Sequence, residues 1–393
     1  MLSKKACIVG MGPAGLMAGT VLLEKGFEVH FFDHKKAAGR KFLVAGHGGF
    51  NLTHSEEKHF FKDKFNHTFI KEAFLEFDNI DFIDWLKKIG IETYIGSSGK
   101  IFPLKGIKPI DVLTNWLDKI ILLGGKLHYS HKLVDFSDNE LVLNFNNTEI
   151  RHSFDYLVLA LGGASWRKTG STGEWKEILQ SKEIKCLPFE SSNSGFEIED
   201  WDKLSSLEGQ TLKNIIVSYD SIIKEGDVVL SSYGLEGTPI YYLNKVYREN
   251  KNSNILIDLK PTRSKEEIIE TLRKSKNNTE GLKKLKLSKT AIQLIKIWVS
   301  KEAFSNVEIL SEAIKKLKFN PVSLRPIDEV ISTIGGISID SITNNFQIKT
   351  LPRIYTCGEM LDWDAPTGGY LIQGCVSTGY KVGIEIAKNE SKS

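Results

Sequence analysis

Cysteine is scarce in this sequence of 393 residues, and long apolar runs are missing. The four cysteines, Cys7, Cys186, Cys357 and Cys375, lie far apart and form no Cys-x-x-Cys pair. This spacing opposes a disulfide scaffold or a zinc knuckle and is typical of a protein from a reducing compartment. No apolar stretch approaches the roughly 20 residues that a membrane-spanning helix needs, so we expect no membrane partner.

A large excess of one sign of charge is also missing, since the formal net charge is +3. So small an imbalance does not indicate binding to nucleic acid or to a membrane surface, and no nucleic-acid partner is expected. Residues 1–5 lead directly into a strand pattern and not into the apolar region of a signal peptide. The sequence therefore predicts a cytoplasmic protein.

Patterns for metal binding and for nucleophilic hydrolysis are absent as well. All nine histidines lie at or before His152, and none belongs to a helical His-Glu-x-x-His arrangement. We therefore expect no metal site, and we expect histidines that face solvent or cap helices. A Gly-x-Ser-x-Gly turn, which would present a serine nucleophile, does not occur either.

A glycine-rich turn stands near the N-terminus. The segment 6–9 is a short apolar run typical of a buried parallel strand, 16–25 has helical spacing, and 28–33 resembles a second strand. Between the first strand and the helix lies Gly10-Met11-Gly12-Pro13-Ala14-Gly15, which matches Gly-x-Gly-x-x-Gly. In this strand–turn–helix context the motif predicts a dinucleotide-binding turn, with the diphosphate at the N-terminus of the helix.

Asp33 ends the second predicted strand, 18 residues after Gly15. A carboxylate at this place can accept hydrogen bonds from both hydroxyls of an adenosine ribose and would repel a 2′-phosphate. The pattern therefore favours FAD or NAD over NADP.

The C-terminal part of the chain returns to the same kind of pattern. Residues 354–357 form a short strand that leads into Gly358-Glu359, and Gly368-Gly369 precedes a predicted helix over 370–388. Glu359 could bind the ribityl hydroxyls of a flavin, and the helix N-terminus could face the edge of the flavin that becomes negative on reduction. This return favours FAD over NAD.

The middle of the chain has a different character. From Pro188 to Leu259 the signals are short strands and turns, which favour a small antiparallel sheet or barrel. The segment 260–318 is helical and basic, with 15 Lys and Arg against 7 Glu, a net charge of +8. This segment could dock RNA, an acidic partner or NAD(P)H, although a solvated helical face is the simpler interpretation.

Four separated segments resemble those of one protein family, the BaiN-like, aminoacetone-oxidase-like family of bacterial FAD-dependent oxidoreductases. They are GRKFLVAGHGGFNLTH at 39–54, ALGGASW at 160–166, YGLEG at 233–237 and GEMLDWDAPTGGY at 358–370. The resemblance implies an α/β protein with a Rossmann-type FAD-binding domain built from both chain ends, an inserted β-barrel domain and a small helical domain. The expected ranges are 1–188 and 325–393 for the FAD-binding domain, 189–259 and 319–324 for the barrel, and 260–318 for the helical insert.

The resemblance also assigns residues to the cofactor. It implies ribose or phosphate contacts from Arg40 and Lys41, adenine contacts from the backbone of Val134, and a second turn near the nucleotide. On the flavin side it implies small or hydrogen-bonding residues, a ribityl contact from Glu359, and backbone N–H groups at the ring. The complete set of expected FAD-binding residues is Gly10, Gly12, Ala14, Gly15, Asp33, Arg40, Lys41, Gly46, Asn51, Thr53, Val134, Gly162, Gly163, Glu359, Gly369 and Tyr370.

The sequence leaves the chemistry of the substrate open. Lys41, His47, Tyr233 and Tyr370 have side chains suited to proton transfer, but no pattern selects a catalytic residue among them. The resemblance implies hydride transfer between flavin N5 and a small organic substrate, either an amine such as aminoacetone or an unsaturated compound, with O2 or NAD(P) as the other partner. The alternative is a flavin-holding scaffold whose basic insert engages RNA or a protein.

Overall fold

The computed structural model describes residues 3–44 and 50–391. These residues form two compact units. Unit 1 joins the chain up to residue 190 with the chain from residue 332 onward, and unit 2 comprises residues 191–331. Each unit has its own hydrophobic core.

Helices and strands are numbered separately in chain order. The first part of the chain contains β1 (Lys5–Val9), α1 (Pro13–Glu24), β2 (Glu28–Phe32), α2 (Arg40–Val44), β3 (Thr53–His54), α3 (Lys58–Phe61), α4 (Thr68–Glu76), α5 (Asn79–Lys88), β4 (Thr93–Ile95), β5 (Lys100–Pro103), α6 (Pro109–Leu122), β6 (Lys126–His128), β7 (His131–Phe136), β8 (Glu140–Phe145), β9 (Thr148–Ser153), β10 (Tyr156–Leu159), α7 (Trp175–Gln180) and β11 (Cys186–Ser192).

The remaining elements begin with those of unit 2. They are β12 (Phe196–Ile198), β13 (Thr211–Tyr219), β14 (Ile222–Leu230), β15 (Gly234–Glu236), α8 (Thr238–Tyr241), α9 (Asn244–Glu249), β16 (Ile255–Asp258), α10 (Lys265–Arg273), α11 (Asn278–Lys284), α12 (Lys289–Trp298), α13 (Lys301–Ser305), α14 (Val307–Lys315), β17 (Leu317–Phe319), β18 (Pro321–Leu324), β19 (Ser332–Ile337), β20 (Ile354–Thr356) and α15 (Tyr370–Glu390).

A parallel sheet lies at the centre of unit 1, with strand order β20-β10-β1-β2-β6. The strand β1 is buried on both faces, as its uninterrupted apolar sequence predicts. The unit β1–α1–β2 confirms the predicted strand–helix–strand order. Because β20 comes from the C-terminal part of the chain, the sheet is built from both ends, which confirms the predicted α/β class and Rossmann-type sheet.

The C-terminal helix α15 packs against α1. Gly379 makes this close approach possible, because a Cβ atom there would lie 2.2 Å from the carbonyl oxygen of Ala14. A break at Asp78 separates α4 from α5. Asp78 caps α5 by accepting hydrogen bonds from the backbone N–H groups of Ile80 and Asp81.

Smaller sheets surround the parallel sheet in unit 1. They have the strand orders β3-β5-β4, β7-β8-β9 and β11-β19. The register of the hairpin strands β7 and β8 shifts between Leu133 and Asp135. This bulge turns the middle of β7, where Val134 lies, out of the regular ladder.

Unit 2 contains an antiparallel sheet of seven strands in the order β17-β16-β13-β14-β15-β12-β18. Its two end strands, β17 and β18, are separated in sequence only by Asn320. The continuous segment 317–324 therefore pairs with β16 on one side and with β12 on the other, which closes the sheet into a barrel. Helices α10 to α14 share the hydrophobic core of this barrel.

The helices of the described residues include none that is both long and apolar enough to cross a membrane.

Candidate cofactor-binding site

The turn between β1 and α1 requires glycine at two of its positions. Gly10 has φ of +105°, and a Cβ atom there would lie 2.2 Å from the carbonyl oxygen of Ala160 in the neighbouring strand connection. A Cβ atom at Gly15 would lie 2.0 Å from the carbonyl oxygen of Gly10. Both distances are far shorter than a van der Waals contact, so these two glycines allow the turn and the helix to pack closely.

Gly12 is different, because a Cβ atom there would have no heavy atom within 4 Å. Its backbone is extended, with φ of −85° and ψ of 177°, and it is the N-cap residue of α1. Gly12 also lines a cavity, so the space beside it is open. The first turn of α1 directs unpaired N–H groups and a partial positive charge towards this side of the sheet.

The cavity lies in unit 1, has a volume of about 920 Å³ and includes the glycine-rich turn in its wall. Asp33 and Glu359, which come from opposite ends of the sequence, both line it. The sequence-predicted residues in its wall are Gly10, Gly12, Ala14, Asp33, Arg40, Lys41, Val134, Gly162 and Glu359.

The Asp33 carboxylate is held in place by the backbone. Its Oδ2 accepts a hydrogen bond from the N–H of Met11 at 3.0 Å, and its Oδ1 accepts one from the N–H of Lys35 at 2.8 Å. Each carboxylate oxygen can accept more than one hydrogen bond, so Asp33 retains capacity for hydroxyl donors in the cavity.

Lys41 and Glu359 form an ion pair at the other side of the wall. The Nζ of Lys41 lies 2.8 Å and 2.9 Å from the two carboxylate oxygens of Glu359 and 2.7 Å from the hydroxyl of Ser165. The N–H of Thr333 also donates to Glu359 at 3.3 Å. These contacts fix the orientation of Glu359. The sequence predicts that Lys41 and Glu359 both lie near the cofactor. It does not predict that they pair, because 318 positions separate them.

Two features of the wall fit a polar ligand. The hydroxyl of Ser171 is buried and has no hydrogen-bond partner among the described residues, although it lines the cavity. A buried hydroxyl without a partner is costly, so a ligand that hydrogen-bonds to it is favoured. Val134 lies in the wall beside the bulge in β7 and remains 37% exposed. The open space at Gly12 and the Ser171 hydroxyl thus suit a dinucleotide such as FAD.

Two thiols complete the wall near Glu359. Cys357 and Cys375 both line the cavity. Burial raises the pKa of Cys375 to about 12 and raises the pKa of Cys357 further. Both thiols are therefore protonated at neutral pH and are poor nucleophiles.

A second group of predicted residues lies outside the cavity wall. Thr53 donates from its hydroxyl to Gln373 at 2.7 Å, and a Cβ atom at Gly369 would lie 2.5 Å from the backbone of Thr53. The hydroxyl of Tyr370 donates to Glu56 at 2.8 Å. The predicted residues outside the wall are Gly15, Asn51, Thr53, Gly163, Gly369 and Tyr370. Gly46 lies outside the described residues.

Comparison with known proteins identifies the family. A family model described as "HI0933-like protein Rossmann domain" matches residues 4–385. The chain belongs to this family. This family of Rossmann-type oxidoreductases agrees with the resemblance found in the sequence, and one relative of the chain is named a reductase.

Relatives align over nearly their whole lengths. A protein named ribosomal RNA dihydrouridine synthase from Haemophilus influenzae is 26% identical over 97% of this chain and 98% of its own length. Its namesake from Escherichia coli is 21% identical, over 95% of this chain and 96% of its own length. A 3-dehydro-bile acid delta(4,6)-reductase from Clostridium scindens is also 21% identical, over 97% of this chain and 98% of its own length.

Solved structures with the same fold include two oxidoreductases. A flavocytochrome c3 fumarate reductase in an open conformation has a TM-score of 0.53 at 13% identity, over 98% of this chain and 78% of its own. The 3-ketosteroid-delta4-(5alpha)-dehydrogenase from Rhodococcus jostii has a TM-score of 0.51 at 13% identity, over 98% of this chain and 97% of its own. The chain thus has the fold of a flavin-dependent oxidoreductase.

A cluster of histidines lies beside the cavity, and no sequence pattern predicts this cluster. His30 is only 9% exposed, contrary to the expectation of solvent-facing histidines, and its Nδ1 lies 3.1 Å from Nε2 of His128. His131 and His152 complete the cluster, and His131 lines the cavity. Burial lowers the pKa of His128 from 6.5 to about 4, with neighbouring histidines adding to the effect. The pairing of β2 with β6 brings these two histidines together, and no pattern in the sequence indicates that pairing.

These histidines do not form a metal site. The described residues contain no group of three or more His, Cys, Asp or Glu side chains arranged to hold a metal ion.

The remaining candidates for proton transfer have defined partners. In unit 2 the hydroxyl of Tyr233 hydrogen-bonds to Glu236, and the Arg325 guanidinium lies 4.0 Å from the centre of the Tyr233 ring. Burial raises the pKa of Glu236. Lys41 and Tyr370 have the partners given above, and His47 lies outside the described residues. The geometry therefore selects no catalytic acid or base.

Proposed function

We propose that this protein is an FAD-dependent reductase that saturates a carbon–carbon double bond next to a carbonyl group, with a uracil base of ribosomal RNA as its substrate. The observation that carries the proposal is the cavity of unit 1, which joins a dinucleotide-type glycine turn to carboxylates from both ends of the chain. The family membership and the full-length relatives support it.

The residues of the cavity wall account for binding FAD. The N–H groups at the start of α1 would bind the diphosphate in the open space beside Gly12. Asp33, already oriented by two backbone N–H groups, would accept hydrogen bonds from the adenosine ribose. Arg40 would offset the charge of the diphosphate, whereas Lys41 is already paired with Glu359.

Glu359 and its partners would bind the polyol chain. The ion pair with Lys41 orients the Glu359 carboxylate, so that it can accept hydrogen bonds from ribityl hydroxyls. Gly369, the N-cap of α15, would place the N-terminus of that helix near the flavin ring. FAD, when bound, supplies a hydride from N5 of its reduced form.

The relatives suggest the class of substrate. Two of them are named for dihydrouridine formation in ribosomal RNA, and a third for reduction of a bile acid at delta(4,6) double bonds. A uracil base and an unsaturated ketone share a double bond conjugated to a carbonyl, which accepts a hydride at the far carbon and a proton at the near one. Because relatives of both names align over the whole chain, we propose this shared chemistry, and the higher identity favours RNA.

The proposal departs from the expectation that no nucleic acid takes part, which stays an untested prediction. The +8 charge of residues 260–318 is compatible with an RNA substrate. Oxidation of a small amine such as aminoacetone, and a flavin-holding scaffold without activity, also stay predictions that the same experiment tests.

The experiment begins with the purified protein and its absorbance in the flavin range. Under anaerobic conditions, NADH and NADPH are tested for bleaching of that absorbance, and the reduced protein is then mixed with ribosomal RNA, an unsaturated ketone or no substrate. We expect reoxidation by RNA together with a gain of two hydrogens in a uracil nucleoside, detected by mass spectrometry of the digested RNA.

A matched variant separates binding from chemistry. Asp33→Asn should weaken retention of FAD, because the amide offers one acceptor oxygen where the carboxylate offers two. A protein that cannot be reconstituted with FAD contradicts the proposal outright. Reoxidation of the flavin by the ketone alone supports a reductase but refutes RNA as its substrate. Reduction of the flavin by aminoacetone supports an amine as the substrate instead.

A further inference from the structure

Unit 2 contains a small pocket that the proposed cofactor site does not use. It has a volume of about 200 Å³. Its lining residues are Glu199, Asp200, Asn254, Trp298, Lys318 and Asn320. Aromatic, amide, acidic and basic groups thus meet at one place on the barrel and its helices.

The pocket contains a polar group that the protein leaves unsatisfied. The amide oxygen of Asn254 is buried and has no hydrogen-bond partner among the described residues. Buried amide groups are nearly always hydrogen-bonded, because an unpaired one costs about 1 to 3 kcal/mol. The amide of Asn254 is therefore available to a ligand in the pocket.

Trp298 provides a fixed aromatic wall. Its indole N–H donates to the carbonyl oxygen of Lys318 at 2.9 Å, and its ring packs 4.9 Å from that of Phe319. The ring is nevertheless only half-buried and lines the pocket. A fixed, partly exposed indole is a suitable surface for stacking a planar base.

Glu199 makes the pocket selective for hydrogen-bond donors. Its carboxylate accepts a hydrogen bond from the amide of Asn320 at 2.6 Å, which holds it at the pocket wall. Asp200, also in the wall, pairs with Lys203. Two carboxylates repel a phosphate but accept hydrogen bonds from an amino group, so the pocket favours the edge of a base over the backbone.

Exposed lysines lie in the helical segment that carries Trp298. Lysines of this segment that are exposed and have no acidic partner within 4 Å among the described residues are Lys276, Lys283, Lys286, Lys289, Lys296, Lys301 and Lys318. Lys289 and Lys296 share one side of α12, whereas Trp298 lies on the opposite side, because the nine residues from Lys289 to Trp298 make about two and a half helical turns. Lys318 lines the pocket itself.

We infer that this pocket binds one base of a single-stranded RNA, with a neighbouring phosphate on Lys318. The inference rests on the proposed function, because it takes RNA to be the substrate. The charge supports this occupant, since residues 260–318 carry +8 in a protein whose net charge is +3. An aromatic stacking surface and cations for the phosphates are the recurring components of single-strand binding sites, and the carboxylates of this pocket add acceptors for a base edge.

The carboxylate of Glu199 implies a preference among bases. Cytosine carries an exocyclic amino group that donates to a carboxylate, whereas uracil of the same size presents an oxygen there. The pocket should therefore bind oligocytidylate more tightly than oligouridylate. The base that it holds is consequently not the uracil that is reduced but another base of the same RNA.

The test measures binding of short fluorescent oligoribonucleotides to the full-length protein by anisotropy, without reductant. Lys318→Gln should bind several-fold more weakly, and its logarithmic salt dependence should be shallower by about 0.7, because each single-strand phosphate contact contributes about that much. The matched control is Lys289→Gln, an exposed lysine on the side of α12 that faces away from Trp298. Glu199→Gln should reduce the preference for oligocytidylate over oligouridylate.

Each outcome decides the inference separately from the proposed function. Equal affinity of Lys318→Gln and Lys289→Gln, or of the two oligonucleotides, overturns it even if the reductase is active. Displacement of RNA by polyglutamate at equal charge indicates an acidic protein partner and also overturns it. Specific binding by a protein that reduces no uracil supports the pocket and refutes only the activity. Melting temperatures of all variants exclude unfolding as the cause.

Discussion

The clearest perturbation of the cofactor site is Gly12→Ala. The new Cβ atom meets no protein atom within 4 Å, and the backbone, with φ of −85°, accommodates alanine. Alanine lowers the entropy of the unfolded chain, which stabilises the protein by about 0.4 to 1 kcal/mol. Alanine is also a poorer N-cap than glycine, by about 0.5 to 1 kcal/mol. The two effects oppose each other, so the free energy of unfolding of the apoprotein should change by less than about 1 kcal/mol.

Cofactor binding should respond quite differently. The added methyl group projects into the open space where the diphosphate is proposed to lie. Forcing a methyl group into a close-packed contact costs about 1 to 3 kcal/mol. This cost corresponds to a loss of FAD affinity of about five- to 150-fold.

The matched control is Gly10→Ala, two residues away in the same turn. Its Cβ atom would lie 2.2 Å from the carbonyl oxygen of Ala160, at a residue with φ of +105°. Strain and overpacking together should destabilise the fold by about 2 to 5 kcal/mol. Urea denaturation of the apoprotein measures stability, and quenching of flavin fluorescence on titration measures affinity.

Either of two results would contradict an open diphosphate site beside Gly12. Gly12→Ala with the FAD affinity of the unchanged protein would show that the diphosphate does not lie beside this residue. If Gly12→Ala lowered the free energy of unfolding as much as Gly10→Ala, the space beside Gly12 would be too small for a methyl group. Tight binding to a destabilised Gly10→Ala protein would leave the assignment of Gly12 unaffected.

Three further predictions concern charges and thiols. Lys41→Met should lower the free energy of unfolding by about 1 to 3 kcal/mol, because it leaves the half-buried Glu359 without its cation. The double variant Lys41→Met/Glu359→Gln should recover part of this loss, as measured by urea denaturation in a double-mutant cycle. Because the folded-state pKa of His128 is lowered from 6.5 to about 4, the unfolded chain binds more protons between these values. Stability should therefore fall as the pH falls from 6.5 towards 4, and His128→Gln should reduce this slope in a series of urea midpoints; equal slopes would contradict the assignment. Burial raises the pKa of all four thiols, so native protein at about pH 8 should react slowly with a thiol reagent that labels it rapidly in urea, and fast labelling of the native protein would argue against this burial.

Local sequence was sufficient for the glycine turn and its surroundings. Gly10 and Gly15 are fixed by steric requirements within a few residues, and the alternation of strand, helix and strand follows from periodic apolar residues. The break at Asp78 is likewise a local capping effect. These features could be predicted because their causes lie within one or two turns of chain.

Contacts between distant segments could not be predicted in the same way. No sequence pattern pairs Lys41 with Glu359 or His30 with His128, because such pairs depend on strand order and register. The orphaned amide of Asn254 is also visible only once Trp298 and Lys318 are brought beside it.

The amino-acid sequence by itself therefore determined the type of fold and the identity of the turn that would receive a dinucleotide. The tertiary structure alone decided that Asp33 and Glu359 share one cavity, that Lys41 holds Glu359, and that Gly369 and Tyr370 lie outside the cavity wall. The physical reason is range. Helix, strand and turn preferences act over a few residues, whereas a binding site is assembled by packing, which brings together residues that the sequence keeps hundreds of positions apart.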